Sequence, residues 1–156
     1  MKTLSILLAT LVIIGCGDDE KEQAVLATPF EFTVTDISGK DLLDPKNSDA
    51  FKESEIKLFY LIDGNVQEVY DLNKDYPRNF LIYRRENFYR IRFFLNHSQT
   101  EGISKTLIQW KESDVDVLSA KFITSETSVI VESVWLNEKL IWTASENTEP
   151  FFALTK

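Results

Sequence analysis

The sequence predicts an all-β fold: a single antiparallel β-sandwich of immunoglobulin-like size with eight to nine strands, set behind an apolar leader and a polar tether. Three observations carry this expectation. Apolar residues recur at every second position over much of the chain, Gly, Pro, Asn and Asp interrupt those runs at short intervals, and all 11 Phe, 5 Tyr and 3 Trp lie between Phe30 and Phe152. The chain has 156 residues, 44% of them hydrophobic, and a chain of that length buries about 70% of its unfolded surface in one domain. With one cysteine there is no internal disulfide, so stability must come from burial.

The elements follow in order. Residues 1–15 hold one charge, Lys2, ahead of the apolar run Thr3 to Ile14 and a small residue, Gly15. That layout is a secretory signal peptide, too short to span a bilayer and followed at once by acids. Residues 16–29 are polar and free of aromatics, the composition of a solvated tether. The domain, residues 30–156, opens with Phe30, Phe32 and Val34 alternating with Glu31, Thr33 and Thr35, a strand with one face in water. Asp44-Pro45 separates it from a strand over Glu55 to Ile62, and Asp63-Gly64 marks a hairpin into Asn65 to Leu72. Past Tyr76-Pro77 come Asn79 to Arg85, Phe88 to Leu95, Lys105 to Lys111, Val115 to Thr124, Ser128 to Leu136 and Lys139 to Thr143. Only Ser48 to Ser54 has a briefly helical pattern. Spacing of this kind indicates a sandwich or barrel, and the size favours the sandwich.

The residues Ile13-Ile14-Gly15-Cys16 resemble the lipobox of bacterial lipoproteins, with Ile13 in place of the usual Leu. The resemblance implies that the Cys16 thiol takes a diacylglycerol (palmitate-type) anchor and that the signal is cut before it. A free thiol in an exported chain is the alternative, and it would be open to oxidation. A second resemblance rests on Phe32 to Pro45, the Asp-Gly hairpin, Tyr76-Pro77 and Val134 to Trp142: these are similar to small Bacteroidetes surface lipoproteins of unassigned function. It implies that Asp18, Asp19 and Glu20, directly after the lipidated cysteine, act as a surface-export signal. The expected location is the outer membrane, lipid-anchored and at the cell surface, with the periplasm-facing leaflet as the alternative. The Leu136-Asn137-Glu138-Lys139 turn departs from the Asn-Gly expected of a two-residue hairpin, and Glu138 at positive φ costs more than glycine.

Charge narrows the partners. Against 25 Asp and Glu stand 17 Lys and Arg, a net charge of −8 that becomes one unit more negative once Lys2 leaves with the signal. Such a field repels phosphate polymers, so no nucleic acid is expected as a partner. The expected partners are the membrane, through Cys16, and an anionic glycan or another envelope protein.

Catalytic and metal templates fail. His97, the only imidazole, lies in a polar loop and leaves no pair for zinc and no choice of base for a triad. Asp71 to Asp75 imitates the start of a calcium loop, but Tyr76 stands where glycine is required and Ile82 where the closing glutamate belongs. Glu112, Asp114 and Asp116 alternate near a strand start and read as a solvated charged edge rather than a cation site or glycosidase pair. No cofactor, metal or catalytic residue is assigned, and the chain is read as a non-enzyme.

The arginines stand out. All five, Arg78, Arg84, Arg85, Arg90 and Arg92, fall within fifteen residues of an acidic chain. If Glu86-Asn87 is a two-residue turn, Arg85 faces Phe88, Tyr83 faces Arg90 and Leu81 faces Arg92, and strand alternation sorts the hairpin onto two faces. Phe80, Ile82, Ile91, Phe93 and Leu95 form the core side. Leu81, Tyr83, Arg85, Phe88, Arg90 and Arg92 form an Arg-aromatic surface, on which Tyr83, Arg85, Phe88, Arg90 and Arg92 are the candidate ligand-binding residues. Guanidinium forks hold carboxylate, sulfate or phosphate, and aromatic faces stack on sugar rings or on guanidinium. The competing reading pairs these arginines with the domain's own acids. If the face is exposed, Arg90→Glu with Arg92→Glu should barely change stability. The expected function is thus a lipid-anchored, non-catalytic interaction or ligand-binding module; the alternatives are a structural envelope lipoprotein and a small carboxylate-dependent hydrolase.

Overall fold

In the computed structural model the described residues are 25–98 and 102–156. Cys16, Asp18, Asp19, Glu20 and the whole signal segment lie outside them. Within them the chain forms eleven strands: β1 (Val25–Ala27), β2 (Pro29–Thr35), β3 (Lys57–Ile62), β4 (Asn65–Glu68), β5 (Phe80–Arg85), β6 (Phe88–Phe94), β7 (Ser104–Lys111), β8 (Asp114–Thr124), β9 (Ser128–Leu136), β10 (Lys139–Thr143) and β11 (Phe151–Thr155). One 3-10 turn, Ala144–Glu146, is the only helical element among the described residues, so Ser48 to Ser54 is a run of turns rather than a helix.

Two sheets pack face to face, the expected sandwich. The larger runs β1-β9-β8-β7-β3-β4, with β10 also on β9; the smaller runs β11-β2-β6-β5. Each contains one parallel pair that the antiparallel expectation did not foresee, β1 with β9 and β11 with β2. β1 belongs to the stretch read as tether, so among the described residues strand structure begins at Val25 rather than Phe30. β1 pairs with Ser128 to Ile130 of β9, and β10 with Ser133 to Leu136, so the two short strands divide one edge of β9 between them. The Asn65 strand is shorter than expected, ending at Glu68.

The core lies between the sheets. Phe30, Phe32, Ile91 and Phe93 of the smaller sheet and Leu58, Ile108, Trp110 and Val134 of the larger have no solvent exposure. Phe93 meets Trp110 edge to face at 5.7 Å, and Phe30 meets Trp142 at 6.0 Å, so aromatic pairs join the layers. Trp135 is half-buried, as a strand indole should be. The sheets are also tied by polar contacts: Tyr60 Oη donates to the Phe94 carbonyl (2.6 Å), and Asn79 Nδ2 donates to Tyr60 Oη (2.9 Å).

Candidate functional site

The β5–β6 hairpin has the register that the turn arithmetic requires. Arg85 pairs with Phe88, Arg84 with Tyr89, Tyr83 with Arg90, Ile82 with Ile91, Leu81 with Arg92 and Phe80 with Phe93. Glu86 takes φ 56 to close the two-residue turn. Parity then does the rest: Phe80, Ile91, Phe93 and Leu95 are buried in the core, and the Arg-aromatic residues share the opposite face of the smaller sheet.

That face is not open surface. Glu31 on β2 sits directly across from Arg92 on β6 and from Phe151 on β11, and Leu81 on β5 completes the row across all four strands. Glu31 is 8% exposed, which overturns the wet face expected for its strand. The arginines cover it. Arg92 Nε donates to Glu31 Oε1 (2.7 Å), with Arg92 Nη2 on the same oxygen (2.6 Å), while Tyr83 Oη (2.7 Å) and Arg90 Nη1 (3.1 Å) donate to Oε2. A second carboxylate, Glu149, enters from the loop before β11 and accepts from Arg85 Nη1 (2.8 Å) and Arg90 Nη1 (3.0 Å). The Arg90 guanidinium lies over the Phe151 ring at 4.1 Å, and that of Arg92 lies 5.3 Å from the Tyr83 ring.

Electrostatics follow from this packing. Burial would raise the Glu31 carboxyl, but hydrogen bonds from Tyr83, Arg92 and Arg90 outweigh it and hold the group below its ordinary value. Burial beside Glu31 pushes the Tyr83 phenol up, and the Glu31 hydrogen bond raises Arg92 despite its own desolvation. Glu149 is likewise held down by Arg90 and Arg85 against a desolvation that would raise it. Three guanidiniums therefore meet two carboxylates, and each guanidinium carries five N–H donors, more than the two acids accept.

Of the residues marked in the sequence, Tyr83, Arg85, Arg90 and Arg92 are brought together, and Phe88 stands at the rim, 41% exposed. Arg84 points to the other face, and Arg78 donates to the Glu53 carbonyl (2.8 Å) beside a cleft of about 640 Å³ lined by Tyr70, Tyr76 and Phe80. That cleft does not border the three clustered guanidiniums. Glu31, Glu149 and Phe151 are the site residues that sequence reasoning missed. Local sequence carries no signal for them, because Glu31 and Arg92 are 61 positions apart.

The acidic triplet near β8 also differs from expectation. Asp116 is 7% exposed and lies in the core row of β8, so it is no solvated edge. It accepts from Trp110 Nε1 (2.8 Å) and Asn137 Nδ2 (2.7 Å) and pairs with Lys156 Nζ (2.7 Å), which also contacts Asp114. Burial would raise its carboxyl; Lys156, Asn137 and Trp110 together hold it down. His97 is exposed, and among the described residues no three His, Cys, Asp or Glu side chains converge as a metal site would require.

The chain matches no family model, and no curated protein or solved structure matches it either.

Proposed function

We propose that this chain is a lipid-anchored, non-catalytic ligand-binding module of the outer membrane, displayed at the cell surface, that holds an anionic partner on the outer face of its smaller sheet. One observation carries the reading. Arg85, Arg90 and Arg92 are gathered, with unspent N–H donors, around two carboxylates in a chain of net charge −8. Where acids outnumber bases, concentrating guanidiniums on one face creates a local positive field there. The lipobox residues ending in Cys16 support the anchor, and Asp18, Asp19 and Glu20 support export.

Two experiments test it. The full-length protein should bind heparin, used as a generic polyanion, with an affinity that falls as salt rises, and Arg85→Ala should weaken that binding. Arg85 suits the test because its side chain is 43% exposed and its loss leaves Glu31 satisfied by Tyr83, Arg90 and Arg92. Heparin binding that is absent, or unaltered in Arg85→Ala, removes the binding face. Separately, Cys16→Ser should abolish palmitate labelling; replacing Asp18, Asp19 and Glu20 with Ala should preserve labelling but reduce access to an external protease.

A further inference from the structure

The two carboxylates in the arginine cluster are unequal. The Glu31 side chain is 11% exposed and takes hydrogen bonds from three residues, whereas the Glu149 side chain is 45% exposed and, among the described residues, takes hydrogen bonds from Arg85 and Arg90 alone. The residues flanking Glu149 are both tied: the Thr148 side-chain Oγ1 accepts from Trp142 Nε1 (3.1 Å), and the Pro150 carbonyl accepts from the Glu31 amide (2.9 Å). Only the Glu149 side chain has to rotate to vacate its place.

The place it would vacate is already shaped. Arg85 and Arg90 each direct one Nη1 at a different oxygen of the same carboxylate. Arg90 would stay put, because Glu31 holds the same nitrogen and Phe151 supports the guanidinium from below. Two N–H donors set at the spacing of one carboxylate's oxygens make a fork for another carboxylate. Beside this fork Phe88, across the hairpin from Arg85, exposes its ring. The surface is the outer face of the four-stranded sheet, with β5 at one edge and β11 at the other, and the fork on it is made of side chains, so recognition there runs through side-chain donors and the Phe88 ring. A saturated pyranose ring bearing a carboxylate fits those terms, with the C–H face of its chair against Phe88 and its hydroxyls toward the guanidinium donors.

We propose that Glu149 is a resident stand-in for the ligand, and that the face binds a uronic-acid glycan whose carboxylate replaces the Glu149 side chain between Arg85 and Arg90. This rests on the binding-face reading above and adds to it the ligand class and a built-in competitor. An internal competitor lowers apparent affinity by its own effective concentration, so its removal should tighten binding.

The test is calorimetric titration of the full-length protein, its Glu149→Gln variant and a remote control, Glu126→Gln, with three probes: a galacturonic acid trimer, a glutamate trimer and a neutral galactose trimer. Glu149→Gln should bind the galacturonate trimer about tenfold tighter than the unaltered protein, the scale of displacing two partly exposed ion pairs. Glu126→Gln, which removes the same charge at an exposed turn, should not. The neutral trimer should bind none of them. Galacturonate binding that is no tighter in Glu149→Gln overturns the stand-in and leaves the binding face intact. A gain confined to the glutamate trimer overturns the sugar class. No galacturonate binding by either protein, alongside Arg85-dependent heparin binding, overturns this inference alone; loss of both overturns the binding face as well.

Discussion

Two buried acids, one in each sheet, sit in polar networks of different make-up. Asp116 has one cation, Lys156, and two neutral donors, Trp110 and Asn137. Glu31 has Arg90, Arg92 and Tyr83, and Arg90 reaches past it to Glu149. Each carboxylate is held ionised in spite of burial. Around Asp116, however, one ammonium serves two carboxylates, Asp116 and Asp114, while around Glu31 three guanidiniums meet two carboxylates and Arg85 and Arg92 stay part-exposed. On the proposed reading the first network contributes only stability, whereas the second, with its excess of guanidinium, also presents a cationic surface to an anionic partner.

The largest expected effect breaks the Glu31 side of that comparison. Arg90→Glu with Arg92→Glu is no longer expected to be silent, because the Arg90 side chain is 13% exposed and the buried Glu31 carboxylate would face two further acids. Removing partners from a buried ion pair costs about 3 to 5 kcal/mol, comparable with the cavity left by Phe93→Ala directly beneath. Urea midpoints should fall for both variants. Charge reversals that leave the midpoint in place would mean that Glu31 is reached by water and that the face is not a preformed cluster.

Asp116→Ala comes next. It strands Trp110 Nε1 inside the core and frees Asn137 and Lys156, but Lys156 has another carboxylate in Asp114 and keeps a neutralising partner. A cost of about 1 to 3 kcal/mol follows from the unsatisfied indole donor. Galacturonate or heparin binding should be unchanged, and a joint loss of stability and binding would erase the distinction between the two networks.

Acid should act on both networks together. The ordinary values are 4.5 for the Glu31 carboxyl and 3.8 for that of Asp116, and each is lower in the fold. Their stabilisation is therefore fully present above about pH 4.5 and is lost as pH falls through the lower folded values. Melting temperature should be flat from pH 7 to 5 and drop below pH 4. Glu31→Gln and Asp116→Asn should each make that drop shallower, and a variant with the full acid slope would show that its carboxyl is not held down in the fold.

How much of this the sequence showed depends on distance along the chain. The β5–β6 face was legible residue by residue, because a two-residue turn fixes register and register fixes parity. Its chemical state was not, because Glu31 and Glu149 reach it through β2 and β11, and the β11–β2 pairing is parallel and has no hairpin signal to announce it. β11 was overlooked for the same reason, and so was β1, three residues that become a strand only because the β9 edge is there to pair with. Asp116 looked solvated because it continues the charged alternation of Glu112 and Asp114; the core row is Asp116, Leu118, Ala120 and Phe122.

The smallest expected effect sharpens the Asp116 side. The β9–β10 turn pairs Leu136 with Lys139 and places Asn137 at φ 46 and Glu138 at φ 71, the left-handed region. Asn137 belongs there: its Nδ2 reaches Asp116, its Oδ1 accepts from the Val117 amide (2.9 Å), and its own amide donates to the Val117 carbonyl (2.9 Å). Glu138 is exposed, and no hydrogen bond or ion pair of its side chain is found among the described residues, so nothing there offsets its conformational cost. Glycine removes that cost, about 1 kcal/mol, and gives back part of it through a freer unfolded chain. Glu138→Gly should therefore raise stability by about 0.5 kcal/mol, or roughly 1 to 2 °C in melting temperature for a domain of this size. Asn137→Gly relaxes the same backbone but removes two hydrogen bonds of the Asp116 network, so it should destabilise. Opposite signs at adjacent residues would show that the turn is held by its contact with Asp116; equal gains from both substitutions would show that backbone strain alone decides and that the Asp116 network ends at Trp110 and Lys156.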